Sequence, residues 1–372
     1  MKSLRKGTAL PEKVAVGMSG GIDSTVTAYL LKEEGYEVVG LTMKIWDGPA
    51  PREPAGRGCY GPGGVSDIED AKRAASVLGI RHFVIDVRSD YEKDVLDYFS
   101  TEYARGRTPN PCVVCNARIK FGSFIGKARS GGIPFDLFAT GHYARVRRDA
   151  ATGRYNLLRG LDGPKDQSYF LYRLSQEQLS RILFPLGDHA KKDVKELALK
   201  AGFAECLKRR ESQDFLEPAD YASLLKDPPV PGDIVDAAGN VIGRHRGIAF
   251  YTIGQRRSLG LAGMKEPHYV VRIDTARNEI VAGRKAELMN DGLRAENVHW
   301  IAPFDDRPEG PVTAKIRSTA PAAPCRADPL RDGSLAVYFD EPQESITPGQ
   351  SVVLYAGDCV LGGGTITEAF RK

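Results

Sequence analysis

The sequence predicts an α/β protein that starts with a parallel sheet carrying helices on both faces. Short apolar runs, typical of buried strands, alternate with amphipathic stretches at helical spacing. Strands separated by such helices are typical of parallel pairing, because each crossover returns over a sheet face. From Val298 onward, short strands recur between Gly and Pro turns, which predicts a small C-terminal β-barrel.

The individual elements follow from the period of their apolar residues. The strand candidates of the first half are Lys13–Gly17, Glu37–Lys44, Arg81–Val87 and Pro134–Tyr143. The helix candidates between them are Ser24–Glu34, Asp67–Leu78 and Asp90–Arg105. The strand candidates of the last part are Val312–Arg317, Leu335–Phe339 and Ser351–Tyr355.

Length and composition predict three domains. The 372 residues are 42% hydrophobic and 27% charged, ordinary globular values that exclude long disordered or collagen-like segments. We expect a catalytic domain over 1–220, a small central domain over 221–289 and the barrel over 290–372. From Asn290 onward, 8 basic and 12 acidic residues give a charge of −4, so the preceding part carries +8 and the whole chain +4. This basic front part permits a nucleic-acid partner without establishing one.

The cysteine count and the absence of long apolar runs predict a cytoplasmic protein. Six cysteines are too few for a disulfide scaffold. No run approaches the ~20 apolar residues that span a bilayer, and Val14–Gly17 is too short for a signal peptide's apolar region. We therefore expect reduced thiols and no membrane partner, and the placement of the cysteines needs an explanation.

A glycine-rich turn separates the first predicted strand from the first predicted helix. Its residues are Gly17, Met18, Ser19, Gly20, Gly21, Ile22, Asp23 and Ser24. Adjacent glycines let backbone N–H groups approach an anion, and the following helix points its positive dipole end at the same place. Asp23 could hold Mg²⁺ beside a phosphate. The turn is neither a Walker A loop nor a G-x-G-x-x-G loop, and the alternative is an ordinary turn with Asp23 or Ser24 as N-cap.

Cys112 and Cys115 form a C-x-x-C pair that follows two prolines and leads into a helical pattern from Ala117 to Lys127. A helix N-terminus favours the thiolate, so the pair suits a redox pair, a zinc half-site or iron–sulfur ligands. No second close pair completes a four-ligand zinc site. Two buried thiols without chemistry are the remaining alternative.

The other four cysteines are scattered along the chain. Cys59 lies in a Gly/Pro-rich loop after the second strand, and Cys206 follows a predicted helix. Cys112, Cys115 and one of these two could hold an iron–sulfur cluster with one iron left open for sulfur. Cys325 and Cys359 lie in the β-rich C-terminal part and are interpreted as core or surface thiols.

These motifs together resemble known families. S-G-G-x-D-S after a first strand resembles the pyrophosphate loop of ATP-pyrophosphatases, which have an adenine nucleotide hydrolase-like fold, split ATP into AMP and pyrophosphate, and adenylate a substrate. The whole chain resembles the tRNA-specific 2-thiouridylase (MnmA) family, which thiolates the wobble uridine of certain tRNAs. The shared motifs are GMSGGIDS, LTMKIW, GRTPNPCVVCN, ATGHYAR, KDQSYFLY, LFPLG, YTIGQRRSLGL and PGQSVVLY.

The resemblance implies a role for each matching residue. ATP would be bound by Gly17–Ser24, Met43 and Gly141, and adenylation of the uridine C2 oxygen would make AMP a leaving group that sulfur delivered at Cys115 displaces. Asn110, Pro111 and Cys112 would border the flipped base. The positions that the family uses toward tRNA are His142, Lys165, Asp166, Gln167, Arg317 and Gln350. The implied cofactors are ATP and Mg²⁺, and the implied partners are tRNA and a sulfur donor protein or sulfide.

Two departures from the family pattern affect the sulfur chemistry. Many members have Asp where this chain has Cys112, and they carry a second catalytic cysteine, which accepts a persulfide, in a segment like S-x-x-I-C-F. The corresponding stretch here, Glu211–Leu216, has no cysteine. We therefore favour a 4Fe–4S-dependent route through Cys112, Cys115 and Cys59 over a two-cysteine route that would have to use Cys206.

Two other classes of protein compete with this interpretation. One is another pyrophosphate-loop ligase, such as one that amidates a small metabolite, although a glutaminase-type domain is absent and the C-x-x-C pair is present. The other is an RNA-binding or redox module without thiolation activity. The intact Ser19, Asp23 and Ser24 argue against such a loss of ATP chemistry.

Overall fold

A computed structural model describes residues 12–48, 58–61, 63–207, 215–216, 224–261 and 266–371. The chain divides into two compact units. One unit comprises Met1–Glu92 and Cys115–Glu217, and the other comprises Lys93–Val114 and Pro218–Lys372. Within the described ranges, no helix is both long and apolar enough to cross a membrane.

The first unit is built on a five-stranded parallel sheet. The strands of this sheet are β1 (Lys13–Gly17), β2 (Glu37–Lys44), β3 (Arg81–Asp86), β4 (Leu137–Ala139) and β7 (Ile182–Leu183), and the unit also contains β5 (Ala144–Arg148) and β6 (Tyr155–Arg159). The sheet order is β3-β2-β1-β4-β7 with every neighbouring pair parallel, whereas β5 and β6 form an antiparallel hairpin. The predicted parallel sheet is therefore confirmed.

The helices are short and several are interrupted. They are α1 (Ile22–Glu33), α2 (Gly63–Leu78), α3 (Arg88–Tyr91), α4 (Asp97–Ala104), α5 (Pro111–Val114), α6 (Phe124–Ser130), α7 (Gln176–Ser180), α8 (Lys191–Lys200) and α9 (Ala204–Leu207). Wider π-type helix covers Glu92–Leu96 and Cys115–Ser123. The predicted helix Asp90–Arg105 is confirmed as helical, since α3, Glu92–Leu96 and α4 follow one another without a gap, but apolar spacing did not reveal the π-type part.

Both faces of the parallel sheet are covered by helices. Val14, Val16 and Ala139 point to one face, where they share a core cluster with residues of α1, α2 and α8. Phe138 points to the opposite face, where its ring lies 5.8 Å from the rings of both Phe121 and Phe124. This alternation follows from the period of two in a strand, and it confirms the predicted arrangement of layers.

One strand prediction fails over most of its length. Of the predicted strand Pro134–Tyr143, only β4 belongs to the sheet. The chain leaves the sheet after Ala139 and brings Gly141 against Asp23, where an added Cβ would lie 2.8 Å from the Asp23 carbonyl carbon. This close approach, not strand pairing, decides the conformation there.

The second unit contains two sheets. The first has the order β10-β11-β8-β9 and consists of β8 (Gly232–Val235), β9 (Val241–His245), β10 (Tyr269–Asp274) and β11 (Glu279–Gly283). The second consists of β12 (Met289–Trp300), β13 (Val312–Lys315), β14 (Ala323–Pro329), β15 (Leu335–Glu344), β16 (Ser351–Ala356) and β17 (Cys359–Phe370). Its antiparallel order β12-β15-β14-β13-β16-β17 closes through β12–β17 pairing, which confirms the predicted C-terminal barrel.

Candidate active site

The glycine-rich turn leaves the end of β1 and starts α1. Gly20 has φ +72°, a left-handed conformation that favours glycine, and Gly21 is the N-cap of α1. The alternative interpretation of the turn, with Asp23 or Ser24 as N-cap, is therefore wrong in its choice of N-cap. The Ser24 hydroxyl lies 3.1 Å from both the Ser19 N–H, from which it accepts, and the Gly21 carbonyl, to which it donates. Because a glycine N-cap has no side-chain acceptor, the first N–H groups of α1 remain suited to an anion.

Asp23 is engaged by a buried cation. The Lys191 Nζ lies 2.7 Å and 2.8 Å from the two carboxylate oxygens of Asp23, and the Tyr143 hydroxyl donates to Oδ1 at 2.9 Å. Lys191 is only 7% exposed, although a buried lysine is costly unless its charge is paired. The structure thus places a positive charge directly behind the glycine-rich turn.

Lys191 could not be singled out from the sequence. It begins α8 next to Lys192, a second lysine with the same local context, yet the Lys192 side chain is 86% exposed. Only the packing of α8 onto α1 separates the two residues. No sequence motif around Lys191 indicates that it is a site residue.

The residues predicted to bind ATP gather at one edge of the sheet. The turn, Met43 and Gly141 follow or end the neighbouring strands β1, β2 and β4 at their carboxyl ends, where ligands of open α/β sheets usually bind. The Thr42 hydroxyl donates to the Met18 carbonyl at 2.7 Å, which fixes the turn against β2. The structure therefore brings these sequence-predicted residues together.

Cys115 is the first residue of the π-type stretch Cys115–Ser123, which also contains Lys120. Burial raises the pKa of the Cys115 thiol to about 11, and the Lys120 ammonium opposes this shift. Burial, and secondarily Lys120, also holds the pKa of His142 well below its ordinary value, so that imidazole is neutral.

The other cysteines differ in their surroundings. Cys59 is exposed, and its thiol lies close enough to Cys115 to raise the pKa of Cys115 slightly. Cys206 packs against the core cluster of the first unit and is hydrogen-bonded to Thr25 of α1, and burial raises its pKa. Cys112 is half-buried in α5. None of the six cysteines, all of them described, forms a disulfide.

The segment before the C-x-x-C pair is held by the C-terminal barrel of its own unit. The Gln350 Nε2 donates to the carbonyls of Thr108 at 3.1 Å and Pro109 at 3.0 Å, and the Thr108 N–H donates to the Pro348 carbonyl at 2.9 Å. Asn110 is buried, and its N–H donates to the Tyr98 hydroxyl at 3.2 Å. The backbone of Thr108–Asn110 is thus fixed by side chains that are distant in sequence.

Several residues predicted to face tRNA have partners within the protein. The Asp166 carboxylate accepts from the N–H groups of Gly160 and Ser168, each at 3.0 Å. The Gln167 Oε1 accepts from the Tyr143 N–H at 3.0 Å. Both side chains therefore fix the local backbone, whatever else they contact.

The other predicted tRNA residues are also placed by the structure. Arg317 donates to the Glu344 and Ser345 carbonyls at 2.7 Å and 2.9 Å. His142 is half-buried between Phe121 and Phe184, and Lys165 is half-buried as well. Contacts of all these residues with tRNA remain predictions.

Three family models match consecutive parts of the chain. A model described as tRNA methyl transferase HUP domain matches residues 12–216, and one described as tRNA methyl transferase PRC-barrel domain matches residues 224–284. A model described as aminomethyltransferase beta-barrel domain matches residues 290–366.

Curated proteins named tRNA-specific 2-thiouridylase MnmA match almost the whole chain. The protein from Moorella thermoacetica is 46% identical and the alignment covers 94% of this chain and 98% of that protein. The one from Endomicrobium trichonymphae is 45% identical, with 95% and 98% covered. The one from Heliobacterium modesticaldum is 46% identical, with 96% and 93% covered. The chain belongs to the tRNA-specific 2-thiouridylase family.

Membership of the 2-thiouridylase family confirms the resemblance carried by the sequence motifs. The HUP-domain match includes the glycine-rich turn, the C-x-x-C pair and Lys191, so all these residues lie within one matched domain. Arg317 and Gln350 lie within the matched barrel domain.

Proposed function

We propose that this chain is an ATP-dependent tRNA-uridine 2-sulfurtransferase. ATP would adenylate the C2 oxygen of the wobble uridine with release of pyrophosphate, and sulfur transferred with the participation of the Cys115 thiol would then displace AMP. The observation that carries this proposal is the buried cation Lys191 behind a turn built for an anion. The names of the relatives, 2-thiouridylases at 45–46% identity, support tRNA uridine as the substrate.

The adenylation step needs positive charge where phosphate oxygens become more negative. The first N–H groups of α1 and the Lys191 ammonium supply that charge, and neither requires solvent to reorganise. Because both Asp23 oxygens bind Lys191, the carboxylate would reach a Mg²⁺ ion of MgATP only when Lys191 moves toward a phosphate. We propose that this exchange accompanies nucleotide binding, and that Met43 and Gly141 border the nucleotide.

The sulfur step needs a thiol that can ionise. Burial works against Cys115, whose pKa is raised to about 11, and Lys120 is the nearby cation that works in its favour. We propose that Cys115 is the catalytic thiol, that Lys120 stabilises its thiolate, and that Asn110, Pro111 and Cys112 border the flipped base.

Replacing Lys120 by methionine is expected to raise the pKa of Cys115 further, because the opposing positive charge is lost. Below that pKa, alkylation of Cys115 by iodoacetamide should slow by roughly threefold for each tenfold loss of thiolate, since higher intrinsic nucleophilicity offsets part of that loss. Mass spectrometry of the alkylated peptide at a series of pH values measures the change. Lys127→Met, which removes a lysine paired with Asp90, is the control. Coincident pH profiles for Lys120→Met and wild type would contradict the assignment.

Gln350 is proposed to position the segment that borders the target base, so it would act on tRNA through that backbone. Gln350→Ala should lower kcat/KM for tRNA by up to about 30-fold, because two hydrogen bonds worth roughly 1 kcal/mol each are lost. The KM for ATP should stay unchanged. Gln343→Ala, which removes an amide bonded only locally to the Glu341 carbonyl, serves as the control. Equal kcat/KM values for the two variants would refute this role.

The iron–sulfur hypothesis places Cys112, Cys115 and Cys59 around a cluster. Among the residues that the structure describes, no three His, Cys, Asp or Glu side chains are grouped closely enough to hold a metal ion. These thiols, as arranged, do not fit a three-ligand cluster site, and we derive no step through a cluster.

The proposed function is tested by anaerobic incubation of the full chain with tRNA, ATP, Mg²⁺ and a sulfur source, followed by nucleoside mass analysis. We expect this reaction to yield 2-thiouridine and AMP in equal amounts. We also propose that the enzyme is cytoplasmic and receives its sulfur from a persulfide-bearing protein or from sulfide. Failure to form 2-thiouridine with either sulfur source would overturn the proposal. Activity of the purified protein in the presence of an iron chelator distinguishes the persulfide route from the cluster route.

A further inference from the structure

The short segment Gly58–Gly61 is tied down although Cys59 is exposed. The Tyr60 ring stacks on Tyr91 with centroids 5.4 Å apart, and it meets Trp46 edge-on at 5.2 Å. The Tyr60 N–H also donates to the Phe215 carbonyl at 3.2 Å. Cys59 is therefore exposed, but the residue that follows it, Tyr60, is held in place by both its ring and its backbone N–H.

The same segment lies beside the stretch that lacks the family's second cysteine. Counted from Ser212, the pattern S-x-x-I-C-F puts that cysteine at position 216, where this chain has leucine. A Cβ added to Gly58 would lie 2.9 Å from the Leu216 Cα. Cys59 thus directly follows Gly58, and Gly58 lies against the backbone of Leu216, which occupies the position of the family's second cysteine.

Tyr91, on which the Tyr60 ring stacks, also connects this segment to the helix of Cys115. Tyr91 ends α3, and α3 packs against the widened helix that Cys115 begins. The Cys59 and Cys115 thiols lie within electrostatic reach of each other. Cys206, in contrast, is hydrogen-bonded to Thr25 of α1 and packs against the core beside that helix. Of the two candidate third thiols, the geometry therefore favours Cys59.

We infer that Cys59 takes the place of the missing cysteine: it accepts sulfur from the donor and works with Cys115 as the catalytic thiol pair. This inference rests on the proposed function. The exposed thiol is the one that a donor protein can reach, whereas Cys115 is half-buried. Cys59 is a catalytic residue in this scheme, because the transferred sulfur is bonded to it.

Sulfur transfer through Cys59 proceeds in three steps. The Cys59 thiolate attacks the outer sulfur of a donor persulfide, which forms the Cys59 persulfide and releases the donor thiolate. The terminal sulfur of that persulfide attacks C2 of the adenylated uridine, and the C2–O bond breaks to release AMP. The Cys115 thiolate then attacks the inner sulfur, which forms a Cys59–Cys115 disulfide and releases 2-thiouridine. A dithiol reductant supplies two electrons and two protons to restore both thiols.

The experiment compares Cys59→Ser with Cys359→Ser, which alters a barrel cysteine outside the proposed site. Both are assayed with a persulfide donor, tRNA, ATP and an iron chelator. Cys59→Ser should retain tRNA-dependent pyrophosphate release but lose 2-thiouridine formation by at least about 10³-fold, in line with removal of a covalent catalyst. Cys359→Ser should retain both activities. If wild type is active and Cys59→Ser makes 2-thiouridine at the same rate, the inference is overturned while the proposed function stands.

A second arm moves the thiol to the family's position. Because Leu216 adjoins Gly58, the double variant Cys59→Ser/Leu216→Cys should recover part of the lost thiolation. After one turnover of wild type without reductant, peptide mapping should identify a Cys59–Cys115 disulfide. A disulfide from Cys115 to Cys112 or Cys206, or wild-type activity that appears only with a reconstituted cluster, would contradict the inference.

Discussion

Replacement of Lys191 by methionine should reduce tRNA-dependent release of pyrophosphate by about 10²–10³-fold, the usual cost of removing one preorganised donor from a developing negative charge. Methionine nearly preserves the volume of the lysine stem, so α8 should still pack on α1. The lost group is the ammonium that neutralises Asp23 and that we assign to the phosphates of ATP. The measurement is the initial rate of pyrophosphate release at saturating ATP and tRNA.

The control for Lys191→Met is the neighbouring variant Lys192→Met. Lys192 is on the same helix but its side chain is 86% exposed, so its removal changes net charge equally without touching Asp23. We expect Lys192→Met to retain the wild-type rate. Thermal unfolding of both variants separates a catalytic loss from a folding defect. Lys191→Met removes the cation beside Asp23, but Asp23 keeps its hydrogen bond from the Tyr143 hydroxyl. Equal rates for the two variants would show that Lys191 serves folding only.

Replacement of Cys115 by serine should abolish formation of 2-thiouridine and leave adenylation intact. A serine hydroxyl cannot cleave the sulfur–sulfur bond to the transferred sulfur, whereas the glycine-rich turn and Lys191 are unchanged. Loss should reach at least about 10³-fold, as expected when a covalent participant is removed. With a persulfide donor as the sulfur source, the readouts are 2-thiouridine by nucleoside mass analysis and pyrophosphate release in the same reaction.

The outcome for Cys115→Ser also distinguishes two kinds of failure. If pyrophosphate release is lost together with thiolation, Cys115 acts on folding or on base placement and not on sulfur alone. Cys325→Ser is a suitable control, because burial raises the pKa of Cys325 to about 12 and its thiol lies in the barrel. Normal thiolation by Cys115→Ser would refute the catalytic assignment.

The parts of the fold that depend on local pattern were predictable. The bounds of β1 and β2 agree with their apolar runs, because both strands are central in the sheet and their composition is dictated by burial. The closed barrel also follows from its recurring short strands. Most of the predicted strand that contains β4 was wrong, because a contact of Gly141 with Asp23 overrides its strand propensity.

The chemistry of the site was predictable only where a motif carries it. The glycine-rich turn and the C-x-x-C pair are visible in the sequence. Lys191, in contrast, is brought to Asp23 only by tertiary packing, because the two residues are 168 positions apart in the sequence. The π-type stretch that contains Cys115 and Lys120 was not predictable from apolar spacing. The neighbourhood of Cys59 and Leu216 likewise depends on tertiary contacts.

The central claim is that ATP activates the uridine C2 oxygen, and oxygen-isotope tracing tests it most directly. tRNA carrying ¹⁸O at C2 of the wobble uridine is incubated with the full chain, unlabelled ATP, Mg²⁺ and a sulfur source, and the AMP is analysed by mass spectrometry. We predict that one ¹⁸O atom appears in the phosphate of AMP for each 2-thiouridine formed. Formation of 2-thiouridine with unlabelled AMP, or with ADP and phosphate as the products, would contradict the account.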